Sequence, residues 1–504
     1  MVSMGGTYGG VTNTSTLAKK RAALLVGAAV LGILTGTLSL YVPAIVVGCG
    51  FFVLVVWRTE WFILGLVGYT VFEETLLRWL PGEARYLGEM MIIFSLIVVI
   101  GKQVILKGKV RYRRTPLELP LVVCVVVAFA STWVNRVPPV VAILGVRPWL
   151  RYVALFYLVT LLDWPEQAQR RLVWGLLGFA VVEAGLGLAQ AAGGASVARW
   201  FAAPDVEFGG KVVQQITPSL IGAKIFGTLG RYDRFGNYLM LMFLLAVAVL
   251  PSVSPGRRIG LFAGGAVIVA ALMLSFSRQA WLGTAVGLGV IVLAEKRRGI
   301  FMAILTLMIL TLVIFLISEM PSQSTSGGNP ATVVTRLLEP FSQYYWRALN
   351  AVGGRMYYIF VVGSKLLDAS PWLGLGPGRF ASLVTRIYPT PVYENLGIPQ
   401  YFADYYALDI QWMAVLGQVG ILGLLAFGWM LVRLAQVAHH QFRGSAIRSF
   451  TRGLALTFLV WSAAMVVISS LGPNLEVRVV TLNYWLLAGL VCVNVRRSKR
   501  PTAD

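Results

Sequence analysis

Runs of roughly 20 apolar residues recur along the whole chain and limit its fold more than any other feature of the sequence. The hydrocarbon core of a bilayer is about 30 Å thick, so a helix of that length crosses it. Charged residues make up 13% of the 504 residues, against about 25% in soluble proteins, and hydrophobic residues make up 57%. These values exclude a soluble enzyme and a disordered chain. We therefore predict an all-α polytopic integral membrane protein.

The apolar runs predict 14 spanning helices, and a count of 12 or 13 also fits, because Pro43 alone separates the first two runs. A long, partly helical external loop separates the eleventh span from the twelfth. The predicted spans lie at residues 22–41, 43–57, 61–77, 90–106, 117–134, 141–162, 171–192, 235–251, 259–276, 279–294, 300–318, 406–434, 453–471 and 479–495.

The chain carries 43 Lys and Arg against 21 Asp and Glu, a formal net charge of +22. In a soluble protein this excess would indicate nucleic acid, whereas in a membrane protein basic residues collect on cytoplasmic loops. With the N-terminus inside, the main basic clusters fall on cytoplasmic segments. They lie at residues 102–114, 257–258, 296–298, 433–452 and 496–500. The pattern predicts cytoplasmic N- and C-termini, contact with membrane lipids and no nucleic-acid partner.

This topology predicts how the chain is organised. A loop as long as the predicted external one, with its own secondary structure, is more often functional than idle. The predicted parts are a cytoplasmic tail (1–21), a transmembrane bundle (22–318) with an external loop near 193–234, a large external loop (319–405), C-terminal transmembrane helices (406–495) and a cytoplasmic tail (496–504).

Six arginines stand out on the predicted external side: Arg147, Arg151, Arg231, Arg234, Arg278 and Arg355. A guanidinium group binds two phosphate oxygens and keeps its charge, so several of them around one cleft would suit a diphosphate. The alternative is contact with lipid headgroups or pairing with Asp233, Glu207 and Glu339, which for most single arginines is the more frequent outcome. Arg278 is the exception, because a tight turn between two apolar runs holds it.

The sequence contains no pattern typical of a metal or cofactor site. Cys49, Cys124 and Cys492 each lie inside an apolar run, and neither a CxxC motif nor a Cys/His cluster occurs. The nearest approach to the Asp-x-Asp pair that holds magnesium with a sugar nucleotide is Asp205-Val-Glu207. We expect no metal and no cofactor, since a lipid diphosphate neutralised by arginine needs neither.

Four segments, which together cover roughly residues 225–430, resemble the O-antigen ligase/polymerase superfamily. The most specific is Ser277-Arg-Gln-Ala-Trp-Leu-Gly283, which is similar to the family's Ser-Arg-x-Ala-Trp-Leu-Gly signature. Arg355 followed by Ser370-Pro-Trp-Leu-Gly-Leu-Gly-Pro-Gly-Arg-Phe380 resembles its loop pattern of an Arg and then Pro-x-x-Gly-x-Gly-x-x-x-Phe. The other two segments are Gly227-Thr with Phe235-Gly-Asn237, and Asp409 to Gly420.

The resemblance implies a glycosyltransferase of the bacterial cytoplasmic (inner) membrane that serves polysaccharide biosynthesis in the cell envelope. Such enzymes work at the external face, without a metal. They take a glycan from an undecaprenyl-diphosphate carrier and pass it to a hydroxyl of a glycan or lipid acceptor. By resemblance, Arg278 and Arg355 hold the diphosphate and stabilise the charge that develops on it.

One departure from the family concerns the base. The ligases commonly carry a His where this chain has Asp409, and the histidines of this chain, His439 and His440, fall on a predicted cytoplasmic loop. We therefore predict that Asp409, Asp404 or Glu394 accepts the proton, provided that partial burial raises the pKa of the carboxyl. This departure favours a polymerase or a related transferase over a ligase.

The alternative from a different class is a secondary transporter or lipid-linked-glycan flippase. Transporters place polar groups near the bilayer midplane. This chain offers little there beyond Glu183, which could mark an ion path or have a structural role. Gly374, Gly376 and Gly378 likewise allow two interpretations, a phosphate-binding nest or, as we prefer, a turn punctuated by proline.

Overall fold

The computed structural model describes residues 58–80, 82–108, 114–162, 164–202, 225–295, 354–398 and 410–498, with a few residues between these ranges. The chain divides into two compact units, Met1–Phe62 and Ile63–Asp504, and nearly all described residues belong to the second. The predicted spans at 22–41 and 300–318, and most of that at 43–57, lie outside the described residues.

The described residues are almost entirely helical. Two three-residue strands, β1 (Val206–Phe208) and β2 (Lys211–Val213), pair as a small antiparallel hairpin. The helices are α1 (Thr59–Leu76), α2 (Leu87–Lys107), α3 (Glu118–Val134), α4 (Pro139–Leu150), α5 (Val153–Leu161), α6 (Glu166–Phe201), α7 (Tyr232–Val249), α8 (Pro255–Leu274), α9 (Arg278–Glu295), α10 (Arg355–Tyr357), α11 (Gly363–Ala369), α12 (Val384–Ile387), α13 (Val392–Asn395), α14 (Gln411–Gly444), α15 (Phe450–Ile468) and α16 (Arg478–Ser498).

Every predicted span that lies within the described ranges coincides with a helix or a helix pair. Seven of these helices are long and apolar enough to cross a membrane, or eight if the bent pair α4–α5 is one span, counting only the described residues. The predicted all-α polytopic membrane fold is therefore confirmed.

Three helical segments differ from their predicted form. The span predicted at 141–162 is broken into α4 and α5, which meet at 54°. Pro148 lies in the last turn of α4, where it removes a backbone donor and weakens the helix. Helix α6 continues to Phe201, past the predicted end at 192, with a break at Gly194, whose φ is 60°. Helix α14 is likewise broken, at Gly420, whose φ is 67°.

Helix α7 is the most central of the first nine helices, because it contacts α6, α8, α9 and α15. Within its apolar stretch 78% of the residues are buried, against 28% for the span that contains α2. Small residues of α9 make this packing possible, since a Cβ at Gly287 would lie 2.6 Å from Leu244 of α7. The amino-terminal end of α7, which carries Arg231 and Arg234, is thereby fixed against the start of α9.

A continuous helical run forms part of the long loop. A π-helical turn, Tyr358–Val362, joins α10 to α11. The buried residues of this turn, Tyr358 and Val362, pack with Phe380, Tyr393 and Ala414 in one apolar cluster. The loop therefore has a core of its own that attaches it to the beginning of α14.

Candidate functional site

Arg278 is the first residue of α9 and follows a tight turn after α8. Phe276 in this turn has a φ of 54°, a conformation that a residue other than glycine seldom adopts. Two side chains hold the turn through the same carbonyl oxygen, that of Leu272. Ser275 Oγ donates to it at 2.7 Å and Trp281 Nε1 donates to it at 3.1 Å. Ser275, two residues before the family-like signature begins at Ser277, and Trp281 within that signature thus hold one corner, residues 272–281, which contains Arg278.

The corner packs directly against the start of α7. A Cβ at Gly236 would lie 2.7 Å from the Cβ of Ser277 and 2.9 Å from Ser275 Oγ, so only glycine allows this approach. Gly236 belongs to the Phe235-Gly-Asn237 segment that resembles the same family. Two of the family-like segments are therefore in contact.

A short turn between α15 and α16, residues 469–477, contacts Arg355 and also Gln279, the neighbour of Arg278. Arg355 Nη2 donates to the carbonyl oxygen of Leu471 at 3.0 Å. Gln279, the neighbour of Arg278, accepts from Asn474 Nδ2 at 3.4 Å. The 469–477 turn therefore joins the Arg278 corner to the first turn of α10.

Asn474 is the centre of the 469–477 turn. Its Nδ2 donates to the carbonyl oxygen of Ile468 at 2.6 Å, and its Oδ1 accepts from Asn237 Nδ2 at 2.5 Å. Sequence reasoning missed this turn, although Gly472-Pro473-Asn474 is a strong turn signal. A short loop between two apolar runs gave no reason to expect contacts with residues 237, 279 and 355.

The remaining predicted arginines form ion pairs. Arg147 binds Glu89 through two hydrogen bonds of 2.6 and 2.7 Å, and Arg151 lies 3.0 Å from the same carboxylate. Arg147 also lies over the ring of Tyr86. This bidentate geometry fixes α4 to the beginning of α2.

Arg234 pairs with Glu74 at 2.9 Å, and Arg231 with Asp233 at 3.0 Å. The second pair is one that the sequence suggested; Glu74 and Glu89 were not among the predicted partners. The carboxylates reduce the charge that these four arginines could offer to a diphosphate. Their role as phosphate ligands stays a prediction.

Of the three predicted bases, Glu394 lies within the part of the chain that the structure describes. Glu394 lies in α13, where its side chain is exposed. Its neighbour Tyr393 is buried; it stacks on Phe380 and accepts a hydrogen bond from the N–H of Ala381 at 2.8 Å. Asp404 and Asp409 lie outside the described residues, so their role as base also stays a prediction.

The glycine-rich segment 370–380 fits into the break of α14. Backbone N–H groups of Leu375 and Gly378 donate to the Gly417 carbonyl and to Gln418 Oε1, at 2.8 and 2.7 Å. All three of its glycines, Gly374, Gly376 and Gly378, have positive φ. Because these N–H groups bond within the protein, the segment is a structural turn rather than a nest for phosphate.

Glu183 is buried in the interior of α6, and its carboxylate accepts from both the N–H, at 3.0 Å, and the hydroxyl of Thr228. Gln190, two turns further along α6, bonds to Gly227 and to Phe226. These bonds fix the segment that leads to Arg231. They favour the structural interpretation of Glu183 over an ion path.

Residues 263–428 match a family model described as O-antigen ligase. The predicted resemblance to the O-antigen ligase/polymerase superfamily is confirmed. The match begins inside α8 and ends inside α14, so it contains the Arg278 corner, Arg355 and the glycine-rich segment. No curated protein matches the chain. Among the described residues, no group of three or more His, Cys, Asp or Glu side chains is arranged to hold a metal ion.

The helices identify a multi-pass membrane protein, and residues 263–428 of it are similar to O-antigen ligases. The match supports a general role in glycan ligation or polymerisation, with a lipid-linked glycan and a glycan acceptor as the classes of substrate. The family match covers the Arg278 corner and Arg355, whereas the 469–477 turn lies beyond its end at residue 428.

Proposed function

We propose that the protein is a metal-independent glycosyltransferase that transfers or polymerises a glycan from undecaprenyl diphosphate onto an acceptor hydroxyl. The observation that carries this proposal is the 469–477 turn, which is in contact with both Arg355 and the neighbour of Arg278. The turn thus links the Arg355 guanidinium to the residue next to Arg278, and two guanidinium groups suit a diphosphate, which offers several oxygens and needs charge of the opposite sign.

In the proposed reaction, Arg278 and Arg355 bind the diphosphate and stabilise the negative charge that it gains as it departs. A group positioned for developing charge contributes more to the rate than one that binds the ground state equally well. The acceptor oxygen attacks the anomeric carbon from the side opposite the diphosphate. A single displacement of this kind inverts the anomeric configuration.

The proton of the acceptor hydroxyl needs a base. Sequence reasoning proposed Asp409, Asp404 or Glu394 for this step. We place the reaction on the external face of the bacterial cytoplasmic membrane, because the six arginines fall on the external side of the predicted topology.

Reconstitution in proteoliposomes tests the function. Purified protein with undecaprenyl-diphosphate glycan and acceptor is expected to release free carrier and to form a glycosidic bond of inverted configuration. The transporter or flippase alternative predicts glycan that crosses the bilayer with its carrier still attached. Transport without carrier release would overturn the proposal.

A further inference from the structure

Glu476 is a carboxylate of the 469–477 turn that the preceding assignments do not use. Its Oε1 accepts hydrogen bonds from Trp149 Nε1 of α4 and from Gln411 Nε2 of α14, both at 3.1 Å. Both donors are neutral. The carboxylate is thus positioned from two helices without being neutralised by a hydrogen-bonded cation.

Among the residues that the structure describes, several other carboxylates, unlike that of Glu476, form ion pairs with arginines. Within the described part of the chain, Glu73, Glu74, Glu89 and Asp233 each lie within 3.0 Å of a guanidinium group, those of Arg478, Arg234, Arg147 and Arg231. In each of these pairs the guanidinium group compensates the negative charge of the carboxylate. No such pair to Glu476 occurs among the described residues.

The environment of Glu476 also suits proton transfer. Burial raises the pKa of its carboxyl, while the hydrogen bonds from Gln411 and Trp149 and the charge of Arg151 act in the opposite direction. Arg478, two residues further along, is paired with Glu73 at 2.5 Å. A carboxyl whose pKa lies above its usual range is a stronger base when ionised than one within that range.

Glu476 shares its turn with the residues that contact Arg355 and Gln279. Leu471, which accepts from Arg355, and Asn474, which contacts Gln279, belong to the same turn. The N–H of Gln411 also donates to the carbonyl oxygen of Ser469 at 3.0 Å, so the first residue of α14 holds the turn at both of its ends. The carboxylate is therefore fixed within the same short turn that contacts Arg355 and the neighbour of Arg278.

We infer that Glu476 is the general base of the proposed glycosyl transfer. The proton leaves the acceptor hydroxyl for the Glu476 carboxylate while the acceptor oxygen forms its bond to the anomeric carbon. The bond from that carbon to the diphosphate oxygen breaks, and its electron pair remains on the diphosphate beside Arg278 and Arg355. This inference rests on the proposed function, and it replaces the three loop carboxylates as the base.

The first test compares E476Q, E476D and D368N by the rate of carrier release. Glutamine keeps an oxygen that can accept from Trp149 and Gln411, so E476Q is expected to fold with an unchanged Tm and to lose about a hundredfold or more of the rate. E476D is expected to recover part of it. Asp368, an exposed residue of α11, is the matched control and its variant should match the wild type.

The second test uses W149F, which removes one hydrogen bond from the carboxylate and leaves the carboxylate itself in place. Loss of a donor disfavours the charged form, so the acidic limb of the kcat–pH profile should move to higher pH. Carrier release by E476Q at the wild-type rate, or an unmoved acidic limb in W149F, would refute the role of Glu476 while leaving the function intact. A wild-type protein that releases no carrier would overturn the function itself, and the inference with it.

Discussion

At the scale of single residues, arginines of the same predicted side differ in what they bind. Arg147, Arg151 and Arg234 are partly buried and pair with partly buried carboxylates. Arg231 is itself exposed and pairs with Asp233. Arg355 instead donates to the backbone carbonyl oxygen of Leu471, an uncharged acceptor. The chemical nature of the partner and the burial of the side chain therefore distinguish the structural arginines from the candidates for substrate binding.

The Glu89 carboxylate is a stability determinant at this scale, because two arginines depend on it. E89A leaves Arg147 and Arg151 partly buried without their partner, which costs about 3 kcal/mol. D233A removes the partner of an exposed arginine and should cost less than about 1 kcal/mol. Thermal unfolding in one detergent measures both. Equal losses in the two variants would contradict the assignment of Glu89 as a buried ion-pair centre.

These partners could not be predicted from the sequence, for a physical reason. Glu89 lies 58 positions from Arg147 and Glu74 lies 160 positions from Arg234, so only the packing of helices brings them together. Glu476 is a more extreme case, because 327 positions separate it from Trp149. The prediction of Asp233 beside Arg231 succeeded because those residues are two positions apart.

At the scale of elements, two breaks in apolar helices organise the candidate site. The first break separates α4 from α5, close to Arg147 and Arg151, which contact Glu89. The second break, at Gly420 of α14, contacts the glycine-rich segment. There the N–H of Ile421 donates to the carbonyl oxygen of Pro371 at 2.8 Å. The long loop is thereby attached to the bundle through backbone hydrogen bonds that side-chain variation does not remove.

Gly420 is the position at which this attachment is most sensitive to substitution. Its φ is 67°, and a Cβ there would overlap the backbone of Trp372. G420A is therefore expected to lower the free energy of unfolding by at least about 2 kcal/mol.

Gly428 of the same helix is the matched control, because nothing lies within 4 Å of a Cβ there. G428A should be neutral or stabilising by up to about 1 kcal/mol, since alanine favours the helix. Thermal unfolding distinguishes the two variants. A neutral G420A would mean that the glycine-rich segment does not occupy the break.

Helix positions were predictable where helix shapes were not. Hydropathy is a local property, so each apolar run within the described residues marked a helix. The break at Gly420 depends on a segment some 50 positions earlier in the chain, at Pro371 and Trp372, which fills the gap. No pattern within the sequence of α14 itself indicates that this segment contacts the break.

At the scale of the whole molecule, two groups of polar contacts lie at opposite ends of the helices. Arg355, Gln279 and Asn474 gather at the ends that the charge distribution places outside. Arg452 pairs with Glu295 at 3.1 Å and lies over Phe442, at the ends that it places inside. The predicted topology is therefore compatible with every contact named here.

Labelling of single cysteines tests the topology. In a background in which Cys49, Cys124 and Cys492 are serine, D368C should react with a membrane-impermeant maleimide in intact cells, because Asp368 is exposed on the predicted external side. R257C, at an exposed position of α8 on the predicted cytoplasmic side, should react after permeabilisation only. The reverse pattern would place the arginine site in the cytosol and contradict the proposed function.

The central claim is that Arg278 and Arg355 take the place of a divalent cation when the carrier diphosphate departs. The most direct measurement is the initial rate of carrier release in excess chelator by the wild type, R278A, R355A and the control R257A. The account predicts full activity for the wild type and R257A, and a loss of at least about a hundredfold for each of the other two variants. Release that requires added Mg²⁺, or that survives the loss of both arginines, would contradict it.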